Sequence, residues 1–194
     1  MSKLFLLSVT FLLAGMLHAQ TVIKPAVGLN LTDWTYDDAS GEFKARPGWQ
    51  VGGSVAFGKK IYVEPGIFYT GKATDFIVTN SSSGFDEFKA DLTGIRVPVG
   101  VGLNLVGHEK TMFGLRGFGG FSGFFVTGVS DDIEKDDVNS AQWGTFAGVG
   151  LDIWLIFLDM SYEWSLTNVQ KDVSQIDFGK TRTFYLNAGI RIKL

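Results

Sequence analysis

From Thr183 to Leu194 the chain alternates: Phe184, Leu186, Ala188, Ile190, Ile192 and Leu194 hold one parity, and Thr183, Tyr185, Asn187, Arg191 and Lys193 hold the other. A period of two puts successive side chains on opposite faces of an extended strand, whereas a helix would scatter both sets around its surface. The preceding segment repeats the pattern, with Ile156, Leu158, Met160, Tyr162, Trp164 and Leu166 facing away from Phe157, Asp159, Ser161, Glu163 and Ser165. Earlier apolar faces run through Val27, Leu29 and Leu31; Trp49, Val51, Val55 and Phe57; and Ile61, Val63, Ile67 and Tyr69. They continue through Ile95, Val97, Val99, Val101, Leu103 and Leu105; Phe113, Leu115, Phe121 and Phe125; and Trp143, Ala147, Val149, Leu151 and Ile153. The pattern predicts an all-β chain of eight strands.

Four long polar connections (Tyr36–Arg46, Lys72–Glu87, Gly128–Ser140 and Thr167–Arg182) alternate with three short ones, Gly58–Lys60, His108–Lys110 and Trp154-Leu155. Such asymmetry predicts an antiparallel up-and-down barrel crossing an outer membrane, with short periplasmic turns and long extracellular loops. Parity gives an internal test, because a two-residue turn must switch the apolar face between odd and even numbers and a three-residue turn must preserve it. Ile153 and Ile156 differ in parity across Trp154-Leu155, while Gly58–Lys60 and His108–Lys110 join odd faces to odd, the latter between Gly107 and Thr111. Trp154-Leu155 lacks the glycine or asparagine that a tight turn favours.

Lys3 precedes an apolar run from Leu4 to Leu17, and Leu17-His18-Ala19 stands before Gln20. Residues 1–19 are thus expected to be a cleaved secretion signal and residues 20–194 a single outer-membrane β-barrel domain. The apolar run is shorter than the ~20 residues of a membrane helix, and no later segment reaches ~18 consecutive apolar residues. Without cysteine the chain has neither disulfides nor thiolate chemistry, and none follows the cut to carry a lipid. The formal charge is −3, and loss of Lys3 makes it more negative, which argues against nucleic acid as a partner.

The face opposite the apolar one carries Glu64, Arg96, Arg116, Asp152, Asp159, Glu163, Arg191 and Lys193, four acids against four bases. Facing hydrocarbon, each would cost a few kcal/mol. Inside a barrel of eight strands, just wide enough for its own side chains, they can pair across strands. The expectation is an occluded lumen held by ion pairs, with the apolar face toward lipid. Two alternatives stand beside it: a soluble lipocalin-like carrier of a small apolar ligand, with the apolar face inward, and a narrow porin channel. Glycine, at 25 residues, is frequent in strand interiors, where it eases curvature. Gly117-Phe118-Gly119-Gly120 matches no nucleotide-binding fingerprint. Trp49, Tyr69, Phe113, Trp143, Tyr162, Trp164 and Phe184 lie toward strand ends on the apolar face, as interfacial girdles do.

Catalytic chemistry is poorly served. Of the two histidines, His18 leaves with the signal and His108 falls in a periplasmic turn, so neither supplies a Ser-His pair at the outer face. No zinc set exists without cysteine or a histidine pair, and no enzyme activity or cofactor is expected. Asp131, Asp132, Glu134, Asp136 and Asp137 crowd one outer loop as candidates for a divalent cation. They lack the glycine and terminal glutamate spacing of a calcium hand, and a solvated acidic loop has the same composition. Long loops are where a protein partner would dock.

Gly28-Leu29-Asn30-Leu31, Val63-Glu64-Pro65-Gly66 leading to Tyr69, Ile95-Arg96-Val97-Pro98-Val99 and Leu158-Asp159-Met160-Ser161-Tyr162 together resemble the porin-like, PorT-like outer-membrane β-barrel family of Gram-negative bacteria. The resemblance covers nearly the whole mature chain. It implies a closed eight-stranded barrel in the outer membrane, among lipid and lipopolysaccharide, inserted by the barrel-assembly machinery. One branch of the family takes part in protein secretion. Leu194 departs from the aromatic residue on which many such barrels end.

Overall fold

The computed structural model describes residues 20–34, 41–80, 84–107, 112–129, 140–167 and 181–194, none of them helical. The strands are β1 (Thr21–Trp34), β2 (Gly41–Gly58), β3 (Ile61–Asn80), β4 (Gly84–Val106), β5 (Phe113–Val129), β6 (Ala141–Ile153), β7 (Ile156–Ser165), β8 (Thr181–Ile190) and a two-residue β9 (Ile192–Lys193). β1 to β8 each pair antiparallel with their sequence neighbours, and β1 closes the sheet by pairing with both β2 and β8. β9 holds the same register against β1 as β8 does, so it is the end of the eighth strand beyond a break at Arg191. The result is the eight-stranded closed barrel that the alternation predicts, and closure leaves its wall without a free edge.

Register fixes the barrel's dimensions. Following partners once around, Thr21 leads through Phe57, Val63, Val101, Gly119, Ala147, Tyr162 and Phe184 back to Leu31, ten residues further along β1. A stagger of that size over eight strands tilts them by roughly 40° and keeps the interior narrow enough for side chains to fill. The parity is as expected: Val27, Leu29, Val51, Ile67, Val99, Val101, Phe121 and Val149 are exposed on the outside, while Lys24, Gln50, Thr70, Arg96, Arg116 and Glu163 are buried within. An outer-facing apolar surface is what a bilayer buries, and an inner polar one is the reverse of a carrier's greasy cavity.

Aromatic pairs mark the upper edge of that surface: Trp49 with Tyr69 at 5.5 Å between ring centroids, Phe125 with Trp143 at 6.0 Å, and Tyr162 with Trp164 at 5.0 Å. Phe113 and Trp154 stand exposed at the opposite end. Counting residues between the two belts along tilted strands gives about 25 Å, the height of an outer-membrane apolar band.

The connections differ from expectation in informative ways. Lys72–Glu87 is a hairpin instead of a loop: β3 and β4 stay paired from Lys72↔Leu92 out to Asn80↔Gly84, with only residues 81–83 outside the described part. Thr74, Phe76, Ile77 and Val78 favour extended structure. Gly41–Arg46, placed in a loop, likewise pairs with β3, and a bulge between Arg46 and Trp49 occurs at Pro47-Gly48, where proline cannot donate to the ladder. Gly128, Val129, Thr181 and Arg182 also belong to strands.

Among the short turns, Phe57↔Val63 and Gly58↔Tyr62 put the β2–β3 turn one residue later than expected, at Lys59–Ile61, with parity unchanged. Gly58 takes φ +134° there, where a side chain would be strained. Between β4 and β5, the last pair among the described residues is Val106↔Leu115 after a bulge, and the expected pairing of Gly107 with Thr111 falls on residues 108–111, outside the described part. The β6–β7 turn is Trp154-Leu155 as parity requires, with Ile153 opposite Ile156. Trp154 sits at φ 56°, left-handed, a conformation costing most residues about 1 kcal/mol but tolerated by asparagine. Trp154→Asn is expected to stabilise the barrel by about 1 kcal/mol in urea titrations of the vesicle-inserted protein.

Candidate functional site

Strand tilt brings inward-facing side chains from distant parts of the chain into layers across the lumen. Toward the periplasmic end, Arg116 is 3% exposed and makes most of the contacts. Its Nε donates to Asp152 at 2.9 Å, its Nη2 to Asp159 at 2.7 Å and its Nη1 to the Tyr62 hydroxyl at 3.1 Å, while Glu64 lies at 3.8 Å. Each carboxylate has a second cation or donor. Asp152 takes Arg191 at 2.7 Å; Asp159 takes Lys24 at 2.9 Å; Glu64 takes Lys24 at 2.7 Å and the Ser54 hydroxyl at 2.6 Å. Three cations thus face three anions, and Lys24 Nζ also stands 4.4 Å from the centre of the Phe157 ring. Removing charges from water is affordable only when partners saturate them in this way.

Above this group Phe68, Phe118 and Phe146 line the lumen, the last two with ring centres 6.3 Å apart. On β7, Ser161 separates Asp159 below from Glu163 above. Glu163 receives Arg96 through Nε at 2.9 Å and Nη2 at 2.6 Å, and the Ser122 hydroxyl at 2.7 Å. The Arg96 guanidinium also lies 4.2 Å from the Tyr185 ring centre and 5.6 Å from that of Phe146. Beside it, Gln50 donates to Asn187 and accepts from Thr70, and the Asn30 amide donates to the Gly71 and Trp49 carbonyls.

The structure therefore brings Glu64, Arg116, Asp152, Asp159 and Arg191 into one group and Arg96 with Glu163 into another, instead of a single network. Lys193 is exposed at the periplasmic mouth, where it lines a cavity with Arg191. Lys24, Tyr62 and Lys72 are interior groups that sequence reasoning missed. Lys24 shares even parity with the inner face of β1, a readable signal, whereas Lys72 opens a stretch whose sequence reads as a loop. The acidic stretch holding Asp131, Asp132, Glu134, Asp136 and Asp137 lies outside the described residues. Among the described residues, no group of three or more His, Cys, Asp or Glu is placed to hold a metal.

Two interior cavities of about 60 Å³ each accompany these groups, one at the periplasmic mouth and one at the phenylalanine layer. Each has room for a few water molecules and no more. Side chains fill part of the remaining lumen directly: the Tyr62 ring lies against Gly102, where a Cβ would collide with it, and this pairing of ring and glycine permits sharp curvature.

No curated protein matches the chain. Among solved structures it is similar to the outer-membrane protein OprG of Pseudomonas aeruginosa, at 13% identity and a TM-score of 0.53 over 90% of this chain and 95% of that one. More distant likenesses are Ail, the attachment invasion locus protein of Yersinia pestis, in complex with the heparin analogue sucrose octasulfate (17%, TM-score 0.48, 89% and 99%), and the N-terminal β-barrel domain of Pseudomonas aeruginosa OprF (9%, 0.44, 90% and 100%). At such identities the OprG likeness speaks for the fold. Residues 18–171 match the family described as outer membrane protein beta-barrel domain, and with that match, the closed wall and the outward apolar band, the chain belongs to this outer-membrane barrel family.

Proposed function

We propose that this outer-membrane barrel works as a closed scaffold whose extracellular end meets a partner, in adhesion or in a secretion-associated role. The observation that carries the reading is the lining of the lumen: ion-paired arginines and lysines and a phenylalanine layer occupy it, and the two cavities beside them are about 60 Å³ each, too small for a solute path. With the interior committed to structure, binding falls to the outer end, where the β3–β4 hairpin carries the chain beyond the aromatic belt. Residues 1–19 act as the export signal, lipopolysaccharide surrounds the belt and the barrel-assembly machinery inserts the chain. The four segments quoted above support a place near the PorT-like branch.

Purified barrel in planar bilayers is expected to show no discrete conductance steps; steady openings would overturn the closed-scaffold reading in favour of a narrow channel. Deleting residues 131–137 is expected to leave heat-modifiable gel migration intact while reducing surface adhesion or secretion. Unchanged adhesion and secretion would remove that loop from the role.

A further inference from the structure

Among the described residues, the two ionic groups of the lumen balance internally, and its extracellular end does not. Because pairing climbs about one and a quarter residues per strand, Thr32, Lys72, Gln142 and Thr181 come to one level, just above the aromatic belt. All four point inward and are buried, Lys72 at 6% exposure and Gln142 at 5%. Lys72 Nζ lies 4.5 Å from the centre of the Phe124 ring, and Phe124 is the cross-strand partner of Gln142. Among the described residues, no carboxylate forms an ion pair with Lys72. Glu163, lower in the same lumen, is taken up by Arg96 at 2.6 Å and Ser122 at 2.7 Å. Gln142 Nε2 is likewise buried without an acceptor.

A buried ammonium facing a ring and an unpartnered amide N–H is a set of donors lacking its acceptor, and each such group is costly when left so. We infer that the extracellular mouth of the lumen is an oxyanion-binding site, in which Lys72 supplies the charge and Gln142 and Thr181 the neutral donors, taking a phosphate- or carboxylate-type group from outside. Lysine recognises such groups as a point charge, and amide and hydroxyl donors complete the remaining acceptor positions. This site is separate from the loop role proposed above.

The test is a titration of inorganic phosphate into isotope-labelled full-length barrel in zwitterionic nanodiscs, following the side-chain amide of Gln142 by NMR. A saturable shift is expected, absent with sodium chloride at matched ionic strength. In Lys72→Met the affinity should fall at least about tenfold, the loss of one charge-assisted contact, and Lys72→Arg should recover part of it. Lys72→Met keeps the barrel folded, since it removes an uncompensated charge, and a raised urea midpoint without phosphate would verify this. A parallel arm with anionic phospholipid discs identifies the source: a shift there without added phosphate assigns the site to headgroups. No shift in either arm, a shift reproduced by chloride, or equal affinity in Lys72→Met would overturn the inference.

Discussion

Arg116→Met is expected to destabilise the barrel by about 3 kcal/mol or more, the cost of removing one member of a buried ionic group. Arg116 contacts Asp152 at 2.9 Å, Asp159 at 2.7 Å and Tyr62 at 3.1 Å, all with little water access. After substitution Asp152 retains Arg191 and Asp159 retains Lys24, but three carboxylates then share two cations. Arg116→Lys should restore only part of the loss, because a single ammonium cannot reach both carboxylates and the phenol from one position. Equilibrium urea unfolding of vesicle-inserted protein at neutral pH measures both. A loss below about 1 kcal/mol, typical of solvated surface pairs, would show that water enters the lumen freely.

Val99→Arg tests the other face. Val99 is 48% exposed on the outside and lies midway between the two aromatic belts. At that depth an arginine costs about 2–4 kcal/mol, and the penalty falls toward zero near the interfaces. The matching change at Ile61, by the periplasmic turn, should therefore cost well under half as much. Equal penalties at the two positions would contradict the placement of the membrane, as would a spin label at Val99 or Leu158 reporting contact with water.

How far the chain discloses itself depends on which force dominates locally. β7 and β8 were legible because burial alternates there without interruption, and Ile153 with Ile156 fixed a turn that Trp154 and Leu155 would not suggest by turn chemistry. The hairpin beyond Lys72 reads as a loop in the sequence because polar and charged residues fall at both parities, so no apolar period marks it. The same boundary concealed Lys72. The eight charged residues named from parity lie at different heights, five in one group, two in another and Lys193 at the periplasmic mouth, since parity places a side chain inside but does not give its height. Height depends on strand stagger, which is written in pairwise register and not in any single strand.

Pairing lapses around two prolines of the wall: the β3–β4 ladder skips Gly66 and Ile67 opposite Pro98 and Val97, and the β2–β3 ladder skips Val55 and Ala56 opposite Pro65 and Glu64. Neither proline can donate, so few hydrogen bonds hold those seams.

Asp159 and Glu163 stand four positions apart on β7, one serving each cluster. Hydrophobic alternation rejects a slip of one position, which would turn every greasy group inward, yet it is blind to a slip of two. Such a shift would carry Glu163 toward the place of Ser161 and leave Arg96 facing a hydroxyl. The buried charges thereby act as a key for strand alignment during insertion, discriminating between arrangements that lipid alone would accept equally.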